Sequence, residues 1–176
     1  MSVAYQGAEG AFSHEACLRF LPGEAAVPFA TFSEVITAVE KGDTEFGMLP
    51  LANNGGGETG ARELIGKTQL SIVDEPVLTV HMHLLGTPTS KLDQIRTVVS
   101  HPVALRQCSR SLAALDVGTE ETSNTALAAK ALTNPSRAVL ASEAAAAIYG
   151  LAILKRDMHD REDNATTFAI VSRGSQ

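Results

Sequence analysis

The chain has 176 residues, 44% of them hydrophobic but only 5% aromatic, contains no tryptophan, and carries a formal net charge of −6. Nucleic acid and acidic membrane surfaces would be repelled by that overall field, so neither is expected as a partner. A core so poor in aromatics must be built from Ala, Val, Leu and Ile, a composition suited to a parallel sheet covered by alanine-rich helices.

Met1–Gly10 lacks the basic and apolar regions of a signal peptide, and no apolar run approaches the ~20 residues of a membrane span, so a cytoplasmic protein is expected. Ser2–Gln6 reads as a first strand. Gly7 to Ser13 then turns into a helix from about His14 to Leu21, with Ser13 as its cap. Two glycines, Gly7 and Gly10, allow backbone amides to approach a ligand there, although the same spacing suits an ordinary tight turn. The turn is neither a phosphate loop nor a dinucleotide fingerprint, since it has no Gly-Lys-Ser/Thr and no Gly-x-Gly-x-x-Gly. Ala25–Ala30 reads as a second strand, followed by Thr31-Phe32-Ser33-Glu34 with capping-box spacing and a helix closed by Gly42. Phe46–Leu51 is a third strand. Its exit, with Asn53, Asn54 and Gly55–Gly57, reads as a polar rim at the carboxyl end of a strand, where open α/β sheets bind ligands, or else as a plain surface turn.

A short helix at Ala61–Gly66 and a strand at Leu70–Val73 precede the long apolar alternation Val77–Leu85. His81 and His83 share one face of it, but no third ligand is at hand, so they are expected in cross-strand or core roles and no metal site is expected. Cys17 and Cys108 have no CxxC spacing and read as buried thiols. In Thr97–Cys108 a buried strand ends at Val99. Ser100 is the expected N-cap of a helix running through Leu105, Cys108 and Leu112, with Pro102 in its first turn and free amides forming an anion-sized socket. Gln107 would lie about two turns on, along the same face. Asn124 and Ser142 repeat the capped strand-to-helix pattern, so three caps are expected along one rim. Asp157–Asp163 is a charged loop, and Asn164–Thr167 leads into a strand at Phe168–Ser172.

These elements predict an α/β fold of two lobes around a central cleft. The first lobe takes residues 1–76 with 165–176, and the second takes 77–164, joined by two extended linkers.

With the rims located, the sequence resembles prephenate dehydratase over nearly its whole length. The motifs are Tyr5–Ser13; Pro50-Leu51-Ala52-Asn53-Asn54; Val99–Pro102 with Ala104-Leu105 and Gln107-Cys108; Ala144-Ala145 with Tyr149-Gly150-Leu151; and Asn164–Phe168. The resemblance implies a fold of the periplasmic-binding-protein type (type II), with prephenate in the cleft, no metal or other cofactor, and a homodimer. It implies Thr166, Ser100 and Gln107 as catalytic residues. Substrate contacts are expected from Asn53, Gly10, Ala11, Phe12, Ser13, His101, Thr167 and Phe168. Three positions depart from the family pattern: Ala52 and Asn54 stand where Glu and Ser are usual, and Thr167 stands where Arg is usual. A missing guanidinium removes a bidentate carboxylate anchor or a loop support. The sequence also stops at Gln176, without the phenylalanine-binding ACT domain of many members, so phenylalanine is expected to bind poorly.

The expected reaction is loss of the ring carboxylate and ring hydroxyl as the diene becomes aromatic, in phenylalanine biosynthesis. Thr166 would donate to the departing oxygen, with Ser100 and Gln107 in support. The altered Ala52, Asn54 and Thr167 leave room for a prephenate decarboxylase that keeps the hydroxyl, or for an arogenate dehydratase. Outside enzymes, the same fold could serve as a small-carboxylate binding module.

Overall fold

The computed structural model describes residues 1–174. Contacts divide the chain into two compact units. Unit 1 comprises residues 1–8, 12–79 and 165–174, and unit 2 comprises Glu9–Ala11 and Val80–Asn164.

Unit 1 is built on a seven-stranded mixed sheet. Its strands are β1 (Ser2–Gln6), β2 (Ala25–Phe29), β3 (Phe46–Asn53), β4 (Gly57–Glu58), β5 (Leu70–Asp74), β6 (Val77–Thr79) and, from the far end of the chain, β12 (Ala165–Arg173). The order is β2-β1-β3-β12-β5, with β4 on β3 and β6 on β12. β1 runs parallel to β2 and β3, whereas β12 is antiparallel to β3, β5 and β6. The sheet is therefore mixed rather than parallel, because β12 enters between β3 and β5 from a distant part of the chain and not through a helical crossover.

Alternation sorts this sheet into two faces. Val3, Tyr5, Met48, Phe168 and Ile170 pack with Ala16 and Cys17 of α1 (Phe12–Phe20). Ala4, Leu49, Leu51, Ala169 and Val171 pack with α2 (Phe32–Lys41) and α3 (Ala61–Gly66). α2 carries the expected capping box: Thr31 Oγ1 accepts from Glu34 N, and Glu34 Oε2 accepts from Thr31 N at 3.0 Å. It ends on Gly42 in the left-handed conformation.

Unit 2 holds a five-stranded sheet of order β11-β7-β10-β8-β9. These are β7 (His83–Gly86), β8 (Thr97–Ser100), β9 (Gly118–Glu121), β10 (Arg137–Ala141) and β11 (Ala152–Lys155). β8, β9 and β10 are parallel neighbours, while β7 is antiparallel to β10 and β11. Helices α4 (Pro102–Gln107), α5 (Ser109–Leu115), α6 (Thr125–Lys130) and α7 (Glu143–Tyr149) follow.

Four local expectations are corrected. α1 begins at Phe12, so Ser13 lies inside the helix and is not its cap. The Val77–Leu85 alternation is two strands, β6 and β7, belonging to different sheets. The helix after Ser100 breaks at Cys108, whose φ of −113° is not helical. Asp160 explains the restart: its carboxylate accepts from Ser109 Oγ at 2.8 Å and Arg110 N at 3.1 Å, satisfying the first turn of α5 from another segment. Finally, Thr166 and Thr167 already belong to β12.

Candidate active site

In unit 1 the register of β3 against β12 pairs Asn53 with Thr166. Asn53 Nδ2 donates to Thr166 Oγ1 at 2.9 Å. Asn53 Oδ1 is held by the amides of Gly55 and Gly56, at 2.8 and 2.9 Å. An oxygen that accepts two backbone N–H bonds fixes which way the amide points, so its NH2 end must face Thr166. The threonine oxygen is then an acceptor for Asn53, which leaves the threonine proton to donate to another group. The glycines after Asn53 thus have a structural task, since the turn they form orients the Asn53 side chain.

Asn54 completes this end of the ladder. Its amide donates to Ala165 O, and its Oδ1 accepts from Ala165 N, both at 3.1 Å. The pairing slips one residue between Thr167 and Phe168, which face Ala52 and Pro50. Pro50, which has no N–H to offer a ladder, sits at that bulge. Phe168 N bonds instead to Pro76 O at 2.8 Å. Thr166 is buried and Thr167 half-buried, on alternate sides of the strand. Phe168 is 1% exposed among Tyr5, Met48 and Leu78, so its side chain belongs to the core and is not available to a ligand. Phe12 packs against the same cluster, and Ser13 is buried in the first turn of α1.

In unit 2 the carboxyl ends of β8, β9 and β10 share one rim, and the caps of α4, α6 and α7 stand on it. The cap of α4 is His101, not Ser100: His101 Nδ1 accepts from Val103 N at 3.2 Å. That side chain takes up the Val103 amide and Pro102 has no N–H, so neither of the first two positions of α4 presents a free amide. Ser100 is wholly buried, and its hydroxyl donates to Leu140 O at 3.1 Å, tying β8 to β10. Thr125 Oγ1 accepts from His101 N at 3.0 Å. Ser100 and Thr125 therefore position the exposed His101. Gln107 ends α4, half-buried, and its carbonyl accepts from Asp160 N at 2.7 Å.

The Glu9–Ala11 turn belongs to this rim. Ser142 Oγ, the cap of α7, donates to Gly10 O at 2.6 Å and accepts from Ala145 N at 3.0 Å. The Tyr149 hydroxyl donates to Glu9 O. Burial pushes the Tyr149 phenol up, which keeps it a donor. Gly10 has φ +88°, and a Cβ there would stand 2.9 Å from Ala145 Cα. Only glycine allows that approach. Residues far apart in sequence thus form a single device that clamps the turn carrying Gly10 and Ala11 onto α7.

The structure therefore assembles two groups of the expected residues, Asn53 with Thr166 in unit 1, and Gly10, Ala11, Ser100 and His101 with their supports in unit 2. Sequence reasoning read Ser142 only as a cap and missed Thr125 and Tyr149, because a hydroxyl at a helix end looks the same whether or not it reaches a second segment. Among the described residues no helix is long and apolar enough to cross a membrane.

A family model described as prephenate dehydratase matches residues 3–176. Arogenate dehydratase/prephenate dehydratase 2 of Arabidopsis thaliana is 38% identical over 97% of this chain and 46% of its own length. The crystal structure of prephenate dehydratase from Arthrobacter aurescens, in complex with L-Phe, superposes with a TM-score of 0.90 at 26% identity, covering 100% of this chain and 61% of that one. A periplasmic substrate-binding protein of an ABC transporter from Coxiella burnetii shares the fold, with a TM-score of 0.53 at 12% identity over 98% of this chain and 84% of that one. The chain spans about half the length of the curated relatives it matches.

Proposed function

Because this chain belongs to the prephenate dehydratase family, we propose that it converts prephenate to phenylpyruvate, with Thr166 as the donor to the leaving hydroxyl. The observation that carries this reading is the Asn53–Thr166 hydrogen bond, which joins two sequence motifs and commits the threonine oxygen so that its proton points elsewhere. The reaction needs one such proton. Prephenate dianion plus a proton gives phenylpyruvate, carbon dioxide and water: the C–CO2 bond breaks, its electron pair enters the ring, and the C–OH bond breaks as the oxygen is protonated. Aromatisation supplies the driving force, so positioned donors are sufficient tools. Bulk water replaces the proton that Thr166 gives.

Gln107 is proposed as a further donor. Ser100 acts through His101, and Gly10, Ala11, Ser13 and Thr167 are proposed to shape the substrate's surroundings. Phe12 and Phe168 support these positions from the core. A cytoplasmic location and a homodimer are proposed with this reading.

A second reading, arogenate as substrate, is favoured by the name that the Arabidopsis relative carries. Proton NMR of the purified chain with each compound tests both. Multiple turnovers to phenylpyruvate are expected from prephenate; faster turnover of arogenate to phenylalanine would reassign the substrate. A non-aromatic hydroxylated product would reveal a decarboxylase, and a melting temperature raised by prephenate with both compounds recovered intact would reveal a binding module.

A further inference from the structure

The sequences His81-Met82-His83 and Asp157-Met158-His159 meet in unit 2, where Met158 N donates to Met82 O at 2.8 Å. Both methionines are buried, which leaves the polar residues flanking them gathered together. Asp157 Oδ1 lies 3.0 Å from His81 Nδ1 and 3.5 Å from His159 Nε2. One ligand atom from each of His81, Asp157 and His159 lies within 4.8 Å of the other two. Atoms bound at about 2.0–2.2 Å around a tetrahedral ion stand roughly 3.3–3.6 Å apart, so small side-chain rotations suffice to close the set.

The histidine ring at 159 makes the cluster more than a chance grouping. Its side chain is 6% exposed, and Nδ1 lies 2.7 Å from Arg161 O. A carbonyl only accepts, so Nδ1 carries the proton. Nε2 is buried and without a hydrogen-bond partner, 3.5 Å from the Asp157 carboxylate. A cation held between the ring nitrogen and the carboxylate would give both a partner. A ligating histidine commonly donates its other N–H to a backbone carbonyl in this way, which fixes tautomer and ring. His83 is a strut and not a ligand: its Nδ1 accepts from Asp157 N at 3.0 Å. That bond holds Asp157 at φ 51°, a conformation uncommon outside glycine.

We propose that His81, Asp157 and His159 form a binding site for a divalent ion of the zinc class. Two imidazoles and one carboxylate select zinc, cobalt or nickel over magnesium or calcium. His81 and Asp157 are 54% and 56% exposed, so solvent completes the coordination. The site uses none of the residues assigned to the reaction. Its ion would anchor the segment leading to Asp160, which caps α5 and bonds the Gln107 carbonyl.

The test is a titration of the tag-free, metal-stripped chain with zinc chloride against a chromophoric chelator, repeated with cobalt and read by its visible absorption. One equivalent should bind saturably. His81→Asn and His159→Gln should each weaken binding at least about tenfold, the cost that even the loss of an outer-shell partner carries, while His14→Gln should not. Because His81 is exposed, His81→Asn should leave the melting temperature of the metal-free chain unchanged, so it remains decisive if His159→Gln perturbs folding. Non-saturating uptake, or an affinity unchanged in His81→Asn, overturns the site.

Discussion

Thr166 and Thr167 are adjacent and chemically identical, yet the strand turns them to opposite sides and gives only Thr166 the Asn53 amide. Thr166→Val keeps the branched shape and deletes the proton. If that hydroxyl serves the leaving oxygen, kcat should fall about 10²- to 10³-fold with the fold intact, the usual cost of one positioned donor. Thr167→Val should change kcat far less; equal losses from both variants in steady-state kinetics would place the wrong threonine in the site. The cysteines give a second test. Burial pushes the thiols of Cys17 and Cys108 up to about 12. Only the thiolate is nucleophilic, so at pH 8 a disulfide reagent should label both slowly in the native chain and quickly in denaturant. Rapid labelling of native protein would show that these sites open.

At the scale of elements, the turn at Gly10 and the cap of α7 form one piece. Gly10→Ala meets two obstacles, a left-handed φ of +88° and the Ala145 backbone at 2.9 Å. Gly150 is the internal control, since its φ is +64° and nothing lies within 4 Å of an added Cβ. Gly150→Ala should cost about 1 kcal/mol, the left-handed strain alone. Gly10→Ala should cost about 2 kcal/mol more from overlap, read as the larger drop in melting temperature. Equal drops would mean that the turn yields freely. The element that sequence patterning described worst is the α4–α5 pair. Its apolar periodicity runs unbroken through Cys108, but a distant carboxylate, Asp160, supplies the second helix start.

For the whole molecule, the two thiols also set an alkaline limit. Their native pKa lies above the unfolded value of 9.0, so between pH 9 and about 12 the unfolded chain has lost protons that the native chain keeps. Stability is fully present below pH 9 and falls above it, by up to about 1.4 kcal/mol per pH unit for each thiol. Denaturant melts of Cys17→Ala/Cys108→Ala between pH 9.5 and 11 should show a shallower fall than the unsubstituted chain; an unchanged slope would refute the buried-thiol account. By itself the sequence determined what local chemistry can encode. Caps such as Thr31 and Ser142, the glycine stop at Gly42 and the alternating strands were legible, because each rests on neighbours within a few positions, whereas Thr166 was marked out only by the family resemblance. Tertiary structure decided the rest. It made the sheet of unit 1 mixed by threading β12 between β3 and β5, buried Phe168, spent the Ser100 hydroxyl on Leu140, and brought Asp157 and His159 to His81. Those outcomes depend on which distant backbone groups and side chains fill the space around a residue, and no local period or spacing carries that information.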